Sequence, residues 1–140
     1  MAFNILKKKK DDLKFSVLVI CDDSAACASL SQALGEQGYI VNTAVTVAEA
    51  IQILDEAGLP DVMIGDFIKP EVDGKAFLEQ ARIRFGRSAL PPMIFLMDSK
   101  EDELTAEAMG VHDLVPKPFE GEKLAQCVRQ LIESRLPASD

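Results

Sequence analysis

The 140-residue chain has no tryptophan, one tyrosine, one histidine and three cysteines. With His112 alone and no serine or cysteine nucleophile motif beside it, no hydrolytic triad is legible, and the residue reads as a surface side chain. Met93 and Met97 have no His or Cys cluster near them, so they read as core rather than copper ligands. Cys21, Cys27 and Cys127 form neither a C-x-x-C pair nor an even disulfide framework. Each falls inside an apolar strand run or a helical pattern, which suits buried free thiols in a reducing, cytoplasmic setting. No apolar run reaches membrane-spanning length and no signal-type core follows the start, so membrane insertion is not expected. Positive charge is also scarce: 15 Lys and Arg against 23 Asp and Glu give a net charge of −8. General nucleic-acid binding needs clustered cations and is disfavoured. The run Lys7 to Lys10, followed by Asp11 and Asp12, reads as a solvated arm.

What is present is alternation. Strand-type runs occur at 15–21 (FSVLVIC), 39–44 (YIVNTA), 61–66 (DVMIGD), 91–97 (PPMIFLM) and 113–116 (DLVP). Between them lie stretches of helical period, with inner positions Ala26, Leu30, Ala33 and Leu34, then Val47, Ala50, Ile51 and Leu54, then Phe77, Leu78, Ala81 and Phe85. A polar, acidic helix is expected from about Ser99 to Met109, and a last one with Leu124, Cys127, Val128 and Leu131 inside. Thr46 and Glu49 have the form of a capping box, and Asp73-Gly74 of a turn. VLVI and MIFLM are apolar at every position, as strands covered on both faces are. The expected fold is therefore α/β: a five-stranded parallel sheet, doubly wound and flavodoxin-like. The expected layout is a charged arm at 1–14, one domain at 15–136 and a tail at 137–140.

Polar residues gather at the carboxyl ends of these strands, where ligands bind in such sheets. Asp22 and Asp23 follow the first strand, Asp66 ends the third and Lys117 follows the fifth. Two carboxylates ~5 Å apart at an effective dielectric of ~20 repel by roughly 3 kcal/mol. A divalent cation relieves such crowding, and hard oxygen ligands with water suit Mg²⁺. Taken singly, Asp22 and Asp23 read as helix caps, Asp66 as a loop acid and Lys117 as solvated. Their joint placement carries the argument.

The acid pair after strand one, the DFIKPEVDG stretch from Asp66 and KPF at 117–119 together resemble a two-component response-regulator receiver domain. The resemblance spans about 15–135 and, with the general rule for such sheets, implies strand order 2-1-3-4-5. It implies Asp66 as phosphoacceptor and Lys117 as the phosphoryl contact. It further implies Mg²⁺ held by Asp23 directly, Asp22 through water, Asp66 and the backbone carbonyl of Ile68, and a cis bond before Pro118. A histidine kinase or phosphotransfer protein would donate, a downstream protein would receive the signal, and no turnover of substrate is expected. No built-in output domain is expected, so the output is expected to fall to another protein, at the face of the fourth and fifth strands and helices; a homodimer is possible.

Three positions depart from the pattern. Where a receiver ends strand four with Ser or Thr and then a small residue, this chain has Met97 and Asp98; where it has a switch aromatic, this chain has Leu114. Methionine donates no hydrogen bond to a phosphoryl oxygen. Ser99 supplies a hydroxyl only if the strand runs two residues further. Two readings stay open: phosphorylation at Asp66 with the response carried by another route, or a phosphate-independent protein-binding module. A Mg²⁺-dependent phosphohydrolase of the haloacid-dehalogenase type is a lesser alternative, since D-x-D is replaced by Asp22-Asp23 and Asp66-Phe67-Ile68. A flavodoxin-type cofactor protein is weaker still, because the paired acids would repel its phosphate.

Overall fold

The computed structural model describes residues 14–67, 69–97, 100–111, 113–117 and 121–135. The expected arm up to residue 13, the tail, and the positions Ile68, Asp98, Ser99, His112 and Pro118 lie outside the described residues. Along the chain run β1 (Ser16–Cys21), α1 (Ser24–Glu36), β2 (Ile40–Ala44), α2 (Val47–Ala57), β3 (Val62–Asp66), a π-helical turn (Pro70–Gly74), α3 (Lys75–Phe85), β4 (Met93–Met97), α4 (Lys100–Ala108), β5 (Asp113–Pro116) and α5 (Gly121–Arg135).

The five strands are parallel in the order β2-β1-β3-β4-β5. The all-apolar strands are the inner ones: every residue of β3 and β4 is buried, as is β1 after Ser16. β2 and β5 are the edges: β2 alternates in exposure up to its buried last residue, and β5 is exposed at Asp113 and Pro116 and half-buried between. Alternate strand residues feed two cores. One, under α2, α3 and α4, joins Leu18, Ile20, Met63 and Phe95 to Leu54, Phe77 and Ala106. The other, under α1 and α5, joins Val17, Val19, Ile64 and Leu96 to Leu30, Leu34, Leu124 and Val128.

Local chemistry sets the boundaries. Thr46 caps α2, its Oγ1 accepting from the Glu49 amide at 3.0 Å, as expected. Gly58 and Gly86 end α2 and α3 at φ of 85° and 84°, a region that favours glycine. β4 starts at Met93 rather than Pro91, because proline has no amide to pair; the Pro92 carbonyl still accepts from the Met63 amide at 2.9 Å. The turn expected at Asp73-Gly74 is a π-helical turn in which the Val72 and Asp73 amides both reach the Lys69 carbonyl, at 3.0 and 2.9 Å. In α5 the inner stripe is Leu124, Ala125, Val128 and Ile132; Cys127 and Leu131 sit half-buried at its margin. Cys127 is thus not the buried thiol expected, because Leu124, Val128 and Ile132, four residues apart, set the helix's rotation.

Candidate functional site

β3 carries Asp66 out of the core on its last residue, and the register sets Cys21 of β1 opposite it. The chain therefore leaves β1 at Asp22, whose amide donates to the Asp66 carbonyl at 3.4 Å. Asp66 alternates with Val62 and Ile64 and so shares the α1–α5 face of the sheet. Its side chain is only 10% exposed. A carboxylate so enclosed needs a partner, and Lys117, just past β5, supplies one: Nζ lies 2.5 Å from Asp66 Oδ1. The lysine is itself held by a backbone bond, its amide donating to the Met97 carbonyl at 2.8 Å.

Asp22 and Asp23 are exposed at the rim of this pair. Asp23 is the N-cap of α1, its Oδ1 accepting from the Ala25 amide at 3.1 Å. The capping role weighed for it from sequence is therefore observed. Among the described residues no three Asp, Glu, His or Cys side chains stand close enough to cage a metal by themselves. The close counter-charge to Asp66 is the lysine instead. The donor set still suits a hard cation: Asp66 and Asp23 each have a second oxygen beyond the one named above, and Mg²⁺ needs few carboxylates because it keeps several waters. Ile68, the expected carbonyl ligand, lies outside the described residues.

Met97 is the buried last residue of β4, 8% exposed. Leu114 is half-buried, in register with Phe95, and packs on the α2–α4 core. Asp98, Ser99 and Pro118 are outside the described residues. Beneath the site, burial pushes the Cys21 and Cys27 thiols up in pKa, and their mutual hydrogen bond adds to the shift at Cys21. Both are inert floor, with Cys27 Sγ 3.5 Å from the Ala44 carbonyl. A cavity of about 390 Å³ opens at the opposite end of the sheet, by Met63, Pro92 and Met93, and has no part in this arrangement.

One participant was missed from sequence. Phe67, directly after Asp66, is buried, with its ring edge-on to Phe95 at 5.5 Å between centroids and 66° between planes. The available signal was Gly65, a glycine inside an otherwise apolar strand.

A family model for the response regulator receiver domain matches residues 17–129. The transcriptional regulatory protein TrcR of Mycobacterium tuberculosis is 32% identical over 126 residues, covering 89% of this chain and 48% of that protein. The chain spans about half the length, or less, of the first curated relatives it matches. Among solved structures, the receiver domain of the Francisella response regulator 1452 is 26% identical with a TM-score of 0.72, covering 87% of this chain and 99% of that one. The signal receiver domain of a signal transduction histidine kinase from Syntrophus aciditrophicus is 25% identical with a TM-score of 0.74, covering 89% and 94%.

Proposed function

The chain belongs to the response regulator receiver family, and on that premise we propose that Asp66 accepts a phosphoryl group and signals through altered protein binding. The observation that carries this reading is the enclosed Asp66–Lys117 pair at the carboxyl end of β3. An Asp66 carboxylate oxygen attacks phosphorus in line, the bond from phosphorus to the donor breaks, and the donor leaves with its electron pair. The product is an acyl phosphate. The Lys117 ammonium, already at the carboxylate, offsets the charge on the phosphoryl oxygens. Asp22, Asp23 and Asp66 would hold Mg²⁺, which when bound supplies further positive charge there.

The donor is a histidine kinase or phosphotransfer protein, and the receiver of the signal is another protein surface. The chemistry ends on a covalent adduct rather than a released product, so no substrate is turned over. No helix among the described residues is long and apolar enough to cross a membrane; a cytoplasmic setting, where Cys21 and Cys27 stay reduced, belongs to the same proposal.

Met97 and Leu114 favour a second reading, a protein-binding module that keeps one conformation whatever the state of Asp66. Intact mass after incubation with acetyl phosphate, with and without Mg²⁺, separates the two. The first reading requires a Mg²⁺-dependent gain of one phosphoryl group that Asp66→Asn abolishes. No gain under conditions that label an ordinary receiver overturns it in favour of the second.

A further inference from the structure

Two glycines near Asp66 are explained by space rather than by backbone angle. Neither Gly65 nor Gly74 has a positive φ, unlike Gly38, Gly58, Gly86 and Gly110. A Cβ on Gly65 would run into the Phe67 ring and come to 2.8 Å from the Met93 methyl. A Cβ on Gly74 would lie 3.0 Å from Phe95 and 3.3 Å from Phe67. From opposite ends of the acceptor loop, both glycines clear room for the Phe67 ring, and Gly74 also clears room for the Phe95 ring that Phe67 packs against. The seat is thus specified by four residues: Gly65, Phe67, Gly74 and Phe95.

Phe67 follows Asp66 directly and packs with the core under α2–α4, while Asp66 faces the α1–α5 side. Side chains of successive extended residues point to opposite faces. Fixing the ring therefore fixes the peptide that joins it to Asp66, and with it the direction of the carboxylate. We propose that Phe67 is a positioning residue: its ring, seated on Gly65 and Gly74 against Phe95, aims the Asp66 carboxylate at Lys117. The ring touches no phosphoryl group and acts only through Asp66. This rests on Asp66 being the acceptor, so one arm of the test does not involve phosphate.

The variants are Phe67→Leu, Gly65→Ala and the double variant Gly65→Ala/Phe67→Leu. Labelling by acetyl phosphate should slow about tenfold in Phe67→Leu, since small misplacements of reacting groups cost up to ~10²-fold. Gly65→Ala should lower the urea midpoint, and the double variant should recover it without recovering the labelling rate. A purely structural role would return both together. In the second arm, Lys117 is reductively methylated and compared with Lys123 by peptide mass spectrometry. Phe67→Leu should bring the Lys117 rate at least halfway to that of Asp66→Asn. If Lys117 in Phe67→Leu stays as protected as in the parent, the proposal is overturned, whatever the labelling shows. If the parent takes no phosphoryl group, the reading of Asp66 as acceptor falls, and the lysine arm still decides the positioning role.

Discussion

The β1–β3 side of the site and its β4–β5 side are built from opposite materials. The first presents Asp22 and Asp23, exposed, and Asp66, buried, all at strand ends. The second presents Met97 and Leu114, side chains without a proton to donate, and among the described residues it reaches Asp66 through Lys117. The receiver fold thus holds its charged groups together while the positions that the resemblance assigns to a hydroxyl and an aromatic carry a thioether and a hydrocarbon. The Lys117 amide on the Met97 carbonyl anchors the lysine to its own half by backbone, and the Lys117–Asp66 side-chain pair reaches across to the other.

The largest effect should come from breaking the charged side. Asp66→Asn should abolish labelling by acetyl phosphate, and Lys117→Ala should slow it by about 10²-fold, the scale seen when one charge-stabilising donor is removed. Intact mass against time reads both. Restoring polarity on the other side should sharpen the contrast: Met97→Thr, which adds a hydroxyl at the end of β4, should speed labelling by about tenfold, below the full worth of an aligned donor. An unchanged rate would show that the Met97 position does not face the phosphoryl group.

A smaller effect concerns the floor under Asp66. Cys21 has its folded pKa raised by burial and by its hydrogen bond with Cys27, whereas an unfolded thiol titrates near ~8.5. Below ~8.5 the thiol is protonated in both states and its contribution is intact. As pH rises above that value only the unfolded chain ionises, so stability falls by up to ~1.4 kcal/mol per pH unit until the folded pKa is reached. Urea midpoints at pH 8 and pH 9.5 (~1.5 units apart) should differ in the parent, and Cys21→Ala should reduce the difference, the rest belonging to the buried Cys27. At neutral pH a thiol reagent should find Cys127 before Cys21 or Cys27, because only Cys127 is partly exposed. The smallest effect lies away from both halves. Arg84 holds Asp55 with contacts of 2.7 and 2.6 Å, but the arginine is 56% exposed. Arg84→Ala should cost about 0.5 kcal/mol at low salt and less at high salt, with labelling unchanged.

The strands were legible because burial on both faces demands apolar residues at every position, and VLVI, VMIG and MIFLM meet that demand. Asp66 and Lys117 were legible because they stand at the ends of such runs, where nothing apolar explains them. Less legible was anything decided across the sheet. The rotation that puts Ala125 and Ile132 inside α5 and leaves Cys127 at its margin depends on how the helix seats on β1, β3 and α1. Phe67 reads from sequence as one more apolar residue. Its seat becomes visible only when Gly65, Gly74 and Phe95 are brought together by the parallel register and the π-helical turn.

Asp23 also ends a helix whose amino terminus carries about half a positive charge. A cation drawn to that carboxylate approaches the same pole, so the acid answers two positive claimants at once. Any ion that settles there alters the field felt by the first turn of α1, and the Ala25 amide, bonded to Asp23 Oδ1, feels it first. That single N–H would therefore serve as a spectroscopic gauge of occupancy at the acidic rim, readable without any phosphoryl donor.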